Sequence, residues 1–93
     1  MLFTAKCYWP GVTESELRLA TVRVESSARN DPRSTYRGAL YFPGDDLVLC
    51  LLEALTGGVV KEASECAGMP CERVIESVWI GPDPKGGRAT CNR

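Results

Sequence analysis

Three ionisable side chains stand inside otherwise apolar runs of this 93-residue chain: Lys6 in LFTAKCYW, Glu53 in LVLCLLEAL and Glu76 in RVIESVWI. A half-buried charge needs a partner, because burying it alone is costly. A carboxylate held in a partly dry pocket has its pKa raised and can take a proton from carbon near neutral pH. Glu53 and Glu76 are therefore candidate general bases. Lys6, Arg37 or a tyrosine hydroxyl is the group that would stabilise an enolate. The plainer reading is a structural Lys–Glu pairing, or charges at a wet sheet edge, and the residue types alone leave both open.

Aromatic residues add a second possibility. Tyr8, Trp9, Tyr36, Tyr41 and Trp79 can stack on a flat ligand, although such residues more commonly anchor a core or an interface. The segment ECAGMPCERVIE, residues 65–76, carries Cys66 and Cys71. Their spacing exceeds the short loops of zinc sites, there is no second pair, and a thioredoxin-like dithiol requires C-x-x-C. Both read as small packing residues. The chain has no histidine. That removes the Ser–His and Cys–His nucleophile pairs and the commonest transition-metal ligand. No Gly-rich phosphate loop and no nucleophile elbow occurs; Gly57-Gly58 is a fragment of the former at most.

The bulk properties bound what these residues can belong to. Ninety-three residues make one domain with a modest core. A net charge of -1 without a basic patch argues against a nucleic-acid partner. The N-terminus lacks the pattern of a secretory signal, and no run is long and apolar enough for a membrane span. Five cysteines, an odd number with no evident framework, fit a reducing, cytoplasmic setting.

The elements that must position the candidates follow from pattern. Residues 2–9 alternate as a strand and end at Pro10-Gly11. Thr13 and Glu16 form a capping box, with Val12 and Leu17 as the hydrophobic staple, so the next segment is a helix despite its β-branched content. Asn30-Asp31-Pro32 stops it. Residues 35–42 and 47–55 read as strands joined by a turn at Pro43-Gly44-Asp45-Asp46, the second nearly all apolar and so central and covered on both faces. A short helix over residues 58–67 ends at Gly68 and Pro70. Residues 71–80 are the last strand, and 83–93 a Gly/Pro-rich flexible tail following a domain of residues 1–82.

The order β-α-β-β-α-β is the ferredoxin-like α+β arrangement, a four-stranded antiparallel sheet with two helices on one face. An exposed apolar sheet face is an association surface. The expected assembly is a homodimer, a dimeric α+β barrel enclosing a cleft. Strand parity puts Lys6, Tyr8, Leu49, Leu51, Glu53 and Glu76 on that helix-free face, with Arg37, Tyr41 and Trp79 as further ligand contacts. Ala5, Cys7, Cys50 and Ala54 fit beneath the helices.

The stretch YWPGVTESEL resembles the F-P-G-[hydrophobic]-T-x-x-E-L opening of small bacterial ferredoxin-like domains of unknown function or of nickel-binding type. LCLLEAL and CAGMPCERVIESVWI resemble their C-x-Y-E-A strand and A-G-[LIM]-P-x-x-R-[hydrophobic] signature. The likeness spans residues 2–81 and implies a dimeric α+β barrel, with nickel held by histidine in some members. TYRGALYF has no histidine where those members carry one. Glu53 matches the E of the E-A pair. A fainter likeness, at the level of fold, length and an M-L-F-x-x-K start, is to muconolactone-isomerase-type proteins. The same superfamily holds cofactor-free monooxygenases and cyclases.

Two functions are compatible with this reading. One is binding of a small, largely apolar molecule, or weakly a metal ion, in the cleft on the helix-free face. The other is a cofactor-independent isomerase, cyclase or monooxygenase with a cleft carboxylate as general base.

Overall fold

The structure is a computed structural model, and residues 1–82 are described. The predicted tail, 83–93, lies outside them. The order is β1 (Leu2–Tyr8), α1 (Glu14–Arg29), β2 (Ser34–Phe42), a 3-10 turn at Pro43–Asp45, β3 (Leu47–Ala54), α2 (Gly57–Cys66) and β4 (Cys71–Ser77).

Local chemistry explains the boundaries. Thr13 Oγ1 accepts from the Glu16 amide at 3.1 Å while Glu16 Oε1 accepts from the Thr13 amide at 2.9 Å, so the capping box closes reciprocally. Val12 and Leu17 are both buried beside it. The cap overrides the weak helix propensity of Thr21, Val22 and Val24 because Leu17, Ala20, Val24 and Ala28 fall on one buried stripe. Thr56 caps α2 through the Val59 amide. At the other end the Met69 amide donates to the Ser64 carbonyl and the Gly68 amide to that of Glu65, each at 3.0 Å. This Schellman closure needs the left-handed φ of 80° at Gly68. Between β2 and β3, Asp46 adopts a left-handed φ of 52°, and its carbonyl accepts from the Trp9 amide.

The sheet is antiparallel, in the order β2-β3-β1-β4. Phe3, Ala5 and Cys7 of β1 and Val48, Cys50, Leu52 and Ala54 of β3 are buried beneath the two helices. The small side chains let α1 and α2 approach closely. Leu52, Val24, Val48 and Val60 supply the volume. Burying each is worth about 1.5–3 kcal/mol.

β3 is central, as expected, but within one chain it is covered on one face only. Leu49 and Leu51 are half-buried on the other. β4 also ends earlier than its pattern suggests, at Ser77, leaving Val78 and Ile80 exposed.

Candidate functional site

Two departures from regular pairing decide which side chains meet on the helix-free face. β2 carries a bulge between Tyr36 and Gly38. Before it, Thr35 is opposite Glu53; after it, Gly38, Leu40 and Phe42 are opposite Leu51, Leu49 and Leu47. The extra residue is Arg37, and Gly38 absorbs the distortion with φ 127°. One consequence is that Arg37 and Tyr41, which share sequence parity, end up on opposite faces.

Arg37 therefore reaches Glu53. Its Nε donates to Glu53 Oε1 at 3.1 Å and its Nη2 to the same oxygen. The Arg37 side chain is only 16% exposed, Glu53 45%. Above this pair lies a hollow of about 240 Å³ lined by Leu2, Gly38, Ala39, Leu40, Leu51 and Trp79. A Cβ at Gly38 would meet no atom within 4 Å, so the missing side chain leaves this wall open. Trp79 lies just beyond β4, and its indole N–H donates to the Pro82 carbonyl.

The other candidates are placed elsewhere. Tyr41 faces the helices, and its hydroxyl donates to the Val12 carbonyl at 3.2 Å. The bulge, invisible to simple alternation, causes this correction. Glu76 is opposite Phe3, a residue buried under the helices, and so lies on the helix-side edge of β4 rather than in the cleft. Both parities of this strand mix apolar and polar residues. Because β4 is an edge strand, Val74 packs on the core while Glu76 escapes to water. Lys6 does lie on the helix-free face, but it pairs with Glu72 at 3.9 Å. Leu2 is opposite Glu53 and Lys6 is opposite Leu49, so about 13 Å of strand separates Lys6 from Glu53. The three charged candidates do not converge.

Tyr8 is exposed on the same face near the Leu47 end, and Leu49 occupies its middle. Leu40 and the bulge at Gly38 are the lining features that alternation alone did not reveal, whereas Leu2 shares the parity of Lys6 and Tyr8. A glycine inside a β-branched and aromatic run was the available signal.

Cys66, expected to pack, is exposed at the end of α2, while Cys7 and Cys50 are buried and Cys71 is half-buried. Burial pushes the Cys7 and Cys50 thiols up to about 12, with neighbouring thiols adding to the effect. Tyr36, beneath the helices, is likewise raised to about 12, mainly by burial.

The nickel implied by the sequence resemblance does not fit these residues. Among the described residues no group of three or more His, Cys, Asp or Glu side chains could hold an ion, and the chain has no histidine. No helix among the described residues is long and apolar enough to cross a membrane.

The site thus belongs to a ferredoxin-like α+β domain whose open sheet face carries a hydrophobic hollow beside a salt-bridged arginine. The chain is similar in fold to the crystal structure of SCO4226 from Streptomyces coelicolor A3(2), with a TM-score of 0.72, 20% sequence identity, and coverage of 86% of this chain and 99% of that one. No protein-family model matches the chain. No curated protein matches it either.

Proposed function

We infer that the protein binds a small, largely apolar molecule on its helix-free sheet face, and that two copies pack these faces together to enclose it. The observation that carries this reading is the composition of the face. Leu40 and Tyr8 are each 55% exposed and Phe42 39%, and they surround half-buried Leu2, Leu47, Leu49, Leu51 and Ile75. Lys6 and Arg37 already have carboxylate partners within the chain, and Arg73 sits on the edge strand. A second copy would therefore desolvate few unsatisfied charges.

The dimensions support the same assembly. Four strands about 4.8 Å apart and about 20 Å long give roughly 400 Å² in projection. Side-chain relief brings this toward the ~800 Å² per partner of a standard interface. The hollow under Trp79 is mostly apolar with one charged lining residue, Arg37, and a few polar groups in an apolar pocket are the usual make-up of a ligand site.

Catalysis by a cleft carboxylate is less well supported. Glu53 is salt-bridged, and neither Lys6 nor Glu76 is beside it.

The reading is tested with 2-naphthol as probe and Trp79 as reporter, in a Trp9→Phe background because the chain has two tryptophans. A saturable change in Trp79 emission is expected, together with a dimer by sedimentation velocity at micromolar concentration. A monomer whose emission changes only linearly with probe would refute it.

A further inference from the structure

On the opposite face of the sheet, Cys7 of β1 and Cys71, the first residue of β4, are cross-strand partners. Cys7 is fully buried and Cys71 packs half-buried against the same core. The Cys7 thiol donates to the Ala5 carbonyl at 3.8 Å and the Cys71 thiol to the Arg73 carbonyl at 3.6 Å, and both thiols are free. The Cys71 amide donates to the Met69 carbonyl at 2.8 Å. Directly opposed antiparallel partners have Cα atoms about 4.5–5.5 Å apart, whichever class of pair they form. That separation lies inside the ~4.4–6.8 Å that a disulfide spans. The register also shifts here, from Lys6–Arg73 to Cys7–Cys71 with Glu72 as the extra residue. A bulge leaves the backbone more room to adjust than a continuous ladder would.

We propose that Cys7 and Cys71 form a reversible dithiol–disulfide pair that clasps edge strand β4 to β1 when the protein meets a low-molecular-weight disulfide such as oxidised glutathione. Cys71, the more accessible of the two, attacks one glutathione sulfur as its thiolate. The glutathione S–S bond breaks, one glutathione thiolate leaves and takes up a proton, and Cys71 carries a mixed disulfide. Cys7 then gives up its proton and attacks the Cys71 sulfur, expelling the second glutathione. The protein loses two hydrogens and two electrons, and one oxidised glutathione becomes two reduced molecules. Burial raises both thiols, so the exchange is slow and the pair resists incidental oxidation. Cys66, five positions earlier at the end of α2, is the exposed competing thiol among the described residues.

The test incubates the folded, reduced full chain with oxidised glutathione, quenches with acid, alkylates and maps the peptides. The expected result is a monomer lighter by two hydrogens, with two fewer alkylatable thiols out of five, a Cys7–Cys71 cross-linked peptide, and full reversal by dithiothreitol. Amide exchange in β4 should slow about tenfold or more once the bridge closes. Cys71→Ser should abolish the intramolecular bridge. Cys7 is not varied, because a hydroxyl at that buried position would weaken the core, and mapping of the unmodified sequence decides without it. Glutathione adducts confined to Cys66, a bridge through Cys66, or no thiol loss would each overturn the proposal.

Discussion

Arg37 clasps Glu53 across the β2–β3 ladder although the register sets Thr35 opposite that glutamate. Arg37 shares the helix-free face with Thr35 by alternation, and the bulge leaves it without a ladder partner, two positions from the pairing it joins. The bulge then brings Gly38 and Leu40 onto the same face, opposite Leu51 and Leu49, beside the ion pair. Deleting the bulge would return Arg37 to regular pairing and bring Tyr41 out from under α1.

The strength of this pair can be measured by a double-mutant cycle with Arg37→Met and Glu53→Gln. The arginine is mostly buried, but the carboxylate is nearly half exposed, so screening discounts the interaction. A coupling energy of about 0.5–1 kcal/mol is expected from urea unfolding, falling as salt is raised. A coupling of zero at low salt would show that the contact does not hold the bulge.

The fold was legible where local signals agreed with one another. The capping box at Thr13 and Glu16, the turn after Phe42 and the Gly68-x-Pro70 stop each fix a boundary through a specific hydrogen-bonding need. The site was less legible because strand parity is a count, and a bulge changes the count by one. Arg37 and Tyr41 were separated for that reason. Glu76 was misplaced because an edge strand tolerates polar residues on either face. The Lys6–Glu72 pair was hidden for a related reason, since Glu72 is itself the extra residue of a bulge.

Gly68→Ala should destabilise the protein by about 1–2 kcal/mol. No atom lies within 4 Å of a Cβ there. The cost comes entirely from the left-handed φ that the two Schellman hydrogen bonds require. The urea midpoint should fall without a change in slope. A neutral result would mean that the end of α2 is already frayed.

Ser64→Ala should be neutral or stabilising, by up to about 1 kcal/mol. Ser64 is fully buried in α2, and its hydroxyl has no hydrogen-bond partner among the described residues. Alanine removes a desolvated hydroxyl and has the better helix propensity. A loss above that amount in thermal or urea unfolding would reveal a bound water that the hydroxyl needs.

Stability should decline on the alkaline side. The Cys7 and Cys50 thiols rise from 9.0 to about 12, and Tyr36 from 10.0 to about 12. Between these values the unfolded chain gives up its protons first, so the folded state binds more of them and stability falls as pH rises. The contribution is complete below about pH 9 and lost by about pH 12. Urea midpoints in reductant should fall across that window, and Cys50→Ala should flatten the fall. An unchanged slope in that variant would remove Cys50 from the account.

Leu49→Lys should separate assembly from folding. Leu49 lies mid-face, opposite Lys6 on one side and Leu40 on the other, and is half-buried in the single chain. Within one chain the introduced ammonium can reach water along its flexible stem, so the fold should lose less than about 1.5 kcal/mol. In a two-fold dimer of sheet faces the same charge appears twice, each time beside Lys6 and each time buried by the partner's face. A penalty of about 3 kcal/mol or more would weaken association by roughly 100-fold or more. Sedimentation velocity should therefore show monomer, while circular dichroism and the urea midpoint, compared at matched low concentration, stay close to the parent. Leu19→Lys, on the exposed side of α1, is the control and should leave the sedimentation coefficient unchanged. A dimer that survives Leu49→Lys but dissociates with Leu19→Lys would move the interface from the sheet to the helices and leave the hollow under Trp79 open to solvent.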